Sequence, residues 1–314
     1  MEFAHRALSL YGLRPTHVEF IRHSENITYR VFTPAGDYLL RVHTPISPAF
    51  GSHGADPATV NSEMLWLAIL CEHGFPVPPP VRTRDGKYTA HLDNHNLTML
   101  EWQPGEQPTR EMANNVAGEM GNLVGRLHQF ASTWKPPHRF TRPTRDAAFF
   151  EDAMLSLWPA TQDGRIDPQD YALLQNVITW LSGELRNQGP SRERFGLLHG
   201  DLHRGNFLLD GDDIRLIDFS MSAYGPYAYD LGTCLSNITP TQHNLFLENY
   251  TRHFALPESF HRTVEACFIA SWVVSFSLNI SDPESQETLI ERVSMVASEY
   301  ASRFDRDKRF WFSD

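Results

Sequence analysis

The stretch 197–220, LLHGDLHRGNFLLDGDDIRLIDFS, sets His199, Asp201, Asn206 and Asp218 in a fixed order among short apolar runs. These residue types supply what phosphoryl transfer to a hydroxyl needs. One carboxylate must orient the attacking hydroxyl and accept its proton, and hard oxygen donors must hold Mg²⁺ on the phosphates of a nucleotide. Asp201 suits the first task; Asn206 and Asp218 suit the second. A plain turn aspartate is the blander reading of Asp201, and the intervals to Asn206 and Asp218 speak against it. His199 reads better as a structural histidine bonded to backbone than as a catalytic group.

Convergence of these residues depends on the elements between them. The runs 207–209 and 214–217, joined by Asp210-Gly211-Asp212-Asp213, predict a hairpin that returns Asp218 to the neighbourhood of Asn206. Upstream, 28–32 and 38–42 flank Pro34-Ala35-Gly36-Asp37 and predict a second hairpin. Residues 43–57, rich in Pro, Gly, Ser and His, show no period and are expected to form a mobile loop. Helical spacing of Val60, Met64, Leu67 and Leu70 predicts a helix over 58–73, ended by Gly74 and the prolines beyond it. A strand fits 97–102, closed by Gln103-Pro104-Gly105. Helices are expected over 109–131, 167–187, 240–254, 258–280 and 284–304.

HGDLHRGN at 199–206 resembles the catalytic loop of the aminoglycoside phosphotransferase and choline kinase superfamily, and the protein-kinase pattern H-R-D-L-x-x-x-N, with Gly200 in place of the Arg. Asp218-Phe219-Ser220 resembles D-F-G with Ser for Gly. SENITYRV at 24–31 and LLRV at 39–42 are similar to the nucleotide-loop hairpin and third strand of these kinases, and MLEWQPGE at 99–106 to the fourth strand and hinge. The resemblance implies an α+β, two-lobed protein-kinase-like fold: an N-terminal sheet lobe over 1–102, a hinge at 103–106 and a larger helical lobe over 107–314, with ATP between the lobes. It implies that Ser24, Glu25 and Asn26 cover the phosphates, although an ordinary turn explains this tripeptide about as well. Arg41 stands where the family has Lys and is expected to pair with Glu63 and reach the phosphates; as a planar fork it cannot copy the contact of a Lys. The resemblance also implies that Glu101 and Trp102, just before the hinge, contact the nucleotide. His203 sits where many protein kinases carry a phosphate-touching Lys, and a solvated loop histidine is the other reading. Asp230 is a helix cap, or, by resemblance, the residue that holds the catalytic loop from the following helix.

Within the superfamily the resemblance leans toward the group that contains type II homoserine kinases and a bacterial stress-response Ser/Thr kinase. The partner expected is a small-molecule hydroxyl acceptor, with a protein Ser/Thr kinase second and a nucleotide-binding pseudokinase third. The short stretch from Asp218 to Asp230 lacks A-P-E and disfavours a peptide platform. For a cationic acceptor, Glu265, Asp282, Glu284, Glu287, Trp158 and Trp272 are candidates. A net charge of −11 argues against a general nucleic-acid surface. Cys71, Cys234 and Cys267 suggest neither disulfides nor a zinc site. The apolar run 268–280 is too short for a bilayer and reads as a buried helix, so no membrane partner is expected and the location is cytoplasmic. Oligomeric state stays open.

Overall fold

The computed structural model describes residues 2–23, 26–44, 56–109, 114–189, 191–256, 260–281 and 286–311. Ser24, Glu25 and most of the irregular stretch 43–57 lie outside these residues. The chain runs α1 (Glu2–Tyr11), β1 (His17–His23), β2 (Asn26–Thr33), β3 (Gly36–His43), α2 (Pro57–Glu72), β4 (Thr89–Leu92), β5 (His95–Glu101) and α3 (Asn114–Thr133). It continues through α4 (Ala147–Leu155), α5 (Trp158–Gln162), α6 (Pro168–Gln188), β6 (Phe195–Leu198), β7 (Phe207–Asp210), β8 (Asp213–Leu216) and β9 (Ala223–Pro226). Helices α7 (Tyr227–Leu235), α8 (Pro240–Thr251), α9 (Phe260–Asn279), α10 (Gln286–Val296) and α11 (Ser302–Asp305) complete it. The helix expected over 284–304 is interrupted by a π-helical turn at Ala297–Ala301.

Two compact units form. The first comprises Met1–Pro108, Lys135–Pro143 and Gly205–Ser222; the second comprises Thr109–Trp134, Thr144–Arg204 and Ala223–Asp314.

In the first unit β1-β2-β3-β5-β4 make an antiparallel sheet. Alternation sends Val31, Leu40, Val42, Leu97 and Met99 to one face, where they bury against Ala4, Ala7, Leu8 and Tyr11 of α1. Tyr11 donates its hydroxyl to Leu97 O at 2.9 Å, so the one polar atom of that contact is met. Helix α2 starts where Asp56 accepts from Thr59 N at 2.9 Å with Pro57 just inside, and ends before Gly74, whose φ of +74° suits glycine. The β7–β8 hairpin turns at Gly211, φ +63°. It is tied into this unit by reciprocal bonds between Glu106 and Leu209 and by Leu216 N donating to Pro76 O. Gly105 permits that approach: a Cβ there would stand 2.6 Å from Leu209 O.

In the second unit α3 lies against α8 through glycines. A Cβ on Gly121 would fall 2.1 Å from Phe246 O, and one on Gly125 would fall 2.6 Å from Tyr250 O. Val264, Ala266, Cys267, Ile269, Ala270 and Val273 bury α9, and its C-terminal half is the apolar run expected to be a buried helix. Among the described residues no helix is long and apolar enough to cross a membrane. All three cysteines are free, Cys234 and Cys267 buried.

The close α3–α8 approach makes a testable contrast. Gly121→Leu must push the two backbones away from each other and is expected to lower stability by about 3 kcal/mol or more. Gly183→Ala, where a Cβ in α6 meets nothing within 4 Å, is expected to raise it by about 0.5–1 kcal/mol. Thermal and denaturant unfolding check both; a neutral Gly121→Leu would refute the packing.

Candidate active site

In the second unit β6 delivers the chain into the loop that carries Asp201. Gly200 takes φ +85°, a conformation an L side chain resists. Leu202 is fully buried and anchors the loop. Asp230, within the first turn of α7 and fully buried, accepts His199 N and Gly200 N, each at 2.8 Å. It does not cap the helix, whose N-cap is Pro226. His128 of α3 donates from Nε2 to Asp230 Oδ2 at 3.2 Å, and its Nδ1 lies 2.9 Å from Tyr250 Oη of α8. Burial alone would raise the Asp230 pKa; the bond and charge of His128, the charge of His199 and the Gly200 N–H outweigh it and hold the carboxyl below its usual value. His199 is buried, and its Nδ1 lies 3.3 Å from Asp201 N, a backbone bond.

Asp201 presents a side chain 39% exposed. His203 Nε2 stands 3.4 Å from Asp201 Oδ2 and is itself 45% exposed. Burial pushes the Asp201 pKa up, but the His203 bond and the charges of His203, His199 and Arg145 push it down further, leaving it below the ordinary carboxylate value. The group is therefore ionised at neutral pH, the form a proton acceptor needs.

In the first unit Asn206, buried in a 3₁₀ turn at Arg204–Asn206, is linked to the approach of Asp218 by Ile217 N donating to Asn206 O at 2.9 Å. The hairpin thus brings the backbones of the two expected ligands together. Asp218 has φ 62° and ψ 69°, a left-handed conformation costly for a residue with a side chain. Ser220 Oγ donates to its Oδ1 at 2.8 Å, Arg22 Nη2 lies 3.3 Å from Oδ2, and Arg41 Nη1 lies 3.9 Å from Oδ1. Arg41 and Glu63 pair at 2.6 Å and are 3% and 2% exposed; Arg41 Nε also donates to Thr98 Oγ1 at 3.3 Å. A carboxamide and a carboxylate are hard oxygen donors of the kind Mg²⁺ takes, so Asn206 and Asp218 fit a nucleotide-bound Mg²⁺.

The other expected residues take the following positions. Asn26 opens β2 opposite His43. Glu101 ends β5 with its N–H on Pro79 O, and Trp102 gives its N–H to Asp37 O while Arg30 lies 4.2 Å over its ring. Of the residues considered for a cationic acceptor, Glu265 is buried and accepts Phe310 N and Trp311 N, each at 2.9 Å. Trp158 is 43% exposed. Asp282, Glu284 and the side chain of Glu287 lie outside the described residues.

Sequence reasoning missed Arg22, His128 and Tyr250. His128 sits one place past the apolar stripe of its helix, so a buried polar position was readable there; its partners, far away in sequence, were not. Arg22 carried no signal, because strand β1 is mostly exposed.

A family model described as "Phosphotransferase enzyme family" matches residues 17–264. Amicoumacin kinase of Bacillus subtilis (strain 168) is 26% identical over 239 residues, 74% of this chain and 66% of that protein. A homoserine kinase of Acidiphilium cryptum (strain JF-5) is 29% identical over 224 residues, 68% of this chain and 61% of that protein. The chain thus spans slightly less than two thirds of the length of these relatives. An amicoumacin kinase solved with AMP-PNP, Ca²⁺ and Ami superimposes with a TM-score of 0.77 at 20% identity, covering 98% of this chain and 93% of that one. At that identity the likeness is one of fold, the kinase-like α+β fold expected from the sequence.

The buried Asp230 carboxylate sets an acid limit on stability. Its folded pKa lies below the ordinary 3.8, so its contribution is complete above that value and is lost as pH falls through the depressed folded value. Asp230→Asn keeps the shape and removes the charge; it is expected to lower stability at pH 7 by about 2–4 kcal/mol and to flatten the acid limb of a stability-against-pH curve. An acid limb unchanged in the variant would remove Asp230 from this role.

Proposed function

We propose, from the premise that the chain belongs to the phosphotransferase enzyme family, that it moves the γ-phosphoryl group of ATP to a hydroxyl of a small molecule, with Mg²⁺. The observation that carries this reading is Asp201: an ionised, partly exposed carboxylate on a loop whose backbone is fixed by the buried carboxylate of Asp230. Two relatives bear the names of small-molecule kinases, which supports an acceptor of that size.

Each residue has a task in this reading. Asp201 accepts a hydrogen bond from the acceptor hydroxyl, aligns its oxygen, and takes its proton as the bond to phosphorus forms. Asn206 and Asp218 would hold Mg²⁺, which would supply neutralisation of charge on the phosphate oxygens. Arg41, fixed by Glu63 and Thr98, presents positive charge for the α- and β-phosphates. His203, hydrogen-bonded to Asp201, supplies a donor for the transferred phosphate. Positioning and electrostatics perform most of the catalysis in such a transfer.

A coupled ATPase screen over hydroxyl-bearing metabolites, run beside a labelled protein-substrate assay, tests the acceptor class. Stimulation by one or a few metabolites is expected; efficient labelling of proteins with no active metabolite would overturn the small-molecule reading. Asp201→Ala is expected to reduce transfer by about 10²–10⁴-fold with nucleotide affinity nearly intact, since the base acts on the acceptor. Comparable turnover in the variant would sink the assignment. Asp218→Asn tolerates the left-handed backbone and is expected to fold normally while weakening Mg²⁺-dependent nucleotide binding by about ten-fold or more. Calorimetry showing unchanged affinity would take Asp218 out of the metal site.

A further inference from the structure

Two buried arginines stand three places apart in the sequence RPTR, and neither belongs to the catalytic motif. We infer that Arg142 and Arg145 are positioning residues for the reaction, Arg142 fixing the turn that carries Asp218 and Arg145 fixing the peptide that aims Asp201. The inference rests on the phosphotransferase reading above and adds to it how the two functional carboxylates are held.

Arg142, 7% exposed, spreads its guanidinium over backbone carbonyls of the first unit. Nε donates to Ser222 O at 2.6 Å; Nη2 donates to Ser220 O at 2.5 Å and Phe219 O at 3.4 Å; Nη1 donates to Thr59 O at 3.1 Å. Three of these carbonyls lie within four residues after Asp218. The fourth belongs to the first turn of α2, the helix that carries Glu63. One rigid fork therefore ties the Asp218 turn to the helix whose glutamate orients Arg41. A strained left-handed residue persists only where its surroundings over-determine it, and these bonds supply that constraint. A lysine, with one nitrogen, cannot reach the same set.

Arg145, 3% exposed, acts on the other carboxylate, within the second unit. Its Nη1 donates to Gly200 O at 2.7 Å, its own N–H to Tyr224 O at 2.7 Å, and its guanidinium lies 4.6 Å over the Tyr229 ring. Gly200 C=O and Asp201 N–H belong to one planar peptide. Arg145 holds its oxygen end, and His199 Nδ1 faces its nitrogen end at 3.3 Å. The preceding peptide is held through Gly200 N by Asp230. With both planes beside the flexible Gly200 fixed, the direction in which Asp201 leaves the backbone is fixed as well. The groups that act on the Asp201 charge are His203, His199 and Arg145, so Arg145 also favours its ionised form.

The assignment predicts separable defects. Wild type, Arg142→Gln, Arg142→Lys, Arg145→Met and Arg145→Lys are compared in affinity for ADP with Mg²⁺ by calorimetry, in kcat for ATP hydrolysis without added acceptor, in the pH profile of kcat/KM, and in thermal midpoint. Arg142→Gln is expected to weaken Mg·ADP binding by about ten-fold or more without moving the pH profile. Arg145→Met is expected to leave that affinity within about two-fold, lower kcat by about ten-fold or more, and move the acid limb to higher pH, because loss of the positive charge raises the Asp201 pKa. Arg145→Lys is expected to restore the acid limb but not kcat. If Arg142→Gln does not fold, Arg142→Lys carries the same comparison. Variants that lose affinity and kcat together, in step with the thermal midpoint, would overturn the inference and leave both arginines as core packing. A wild type that neither binds Mg·ADP nor hydrolyses ATP would overturn the phosphotransferase reading and this inference with it.

Discussion

Asp230 is a carboxylate removed from solvent, and the loop before Asp201 depends on it. Taking such a charge out of water costs several kcal/mol, which only a full set of donors offsets. The donors are the two loop N–H groups at 199 and 200 and the Nε2 of His128. Each charge-assisted bond contributes about 1.5–3 kcal/mol, so the carboxylate and the loop stabilise each other and neither is replaceable alone. His128 meets Tyr250 in turn, and α3 and α8 can bring those side chains together because glycines let their backbones close. The packing of two helices and the placement of the loop that carries Asp201 are thus one problem with one solution.

The first unit solves a related problem by pairing. Arg41 and Glu63 are both withdrawn from water, and removing either would leave a buried charge uncompensated. That pair is a means of orientation rather than a source of stability: it aims one guanidinium nitrogen toward Asp218, at 3.9 Å. Asp218 carries carboxylate charge in a left-handed backbone, held among Ser220, Arg22 and Arg41. A carboxylate held among such donors on a strained turn has its direction fixed by those contacts.

Much of this was legible in the sequence for an identifiable reason. The β7–β8 hairpin follows from two apolar runs and an Asp-Gly turn, and the Arg41–Glu63 pair was expected from the resemblance of its strand and helix to those of a known family. Helices α3, α6, α8, α9 and α10 of the second unit overlap their expected spans because burial of one face imposes a repeat that short windows detect. Helices α4 and α5 were not anticipated, nor were helix α1 and strand β4, which are short and are stabilised by the sheet face they cover or extend. The acidic residues considered for an acceptor illustrate the opposite failure. Glu265 has the right charge, yet its oxygen is committed to the backbone of Phe310 and Trp311, which no local pattern discloses.

By itself the sequence determined the residue types at 201, 206 and 218, their order, and the local turns and periods that form the elements bearing them, because those depend on interactions among near neighbours. Tertiary structure alone decided which distant groups complete each functional residue: His128 and Tyr250 behind Asp230, Arg22 beside Asp218, Arg142 over the turn at 219–222, and Arg145 on Gly200. Their sequence separations leave no periodic trace, and their pairing is enforced by burial, where a polar group must find a partner wherever the fold supplies one.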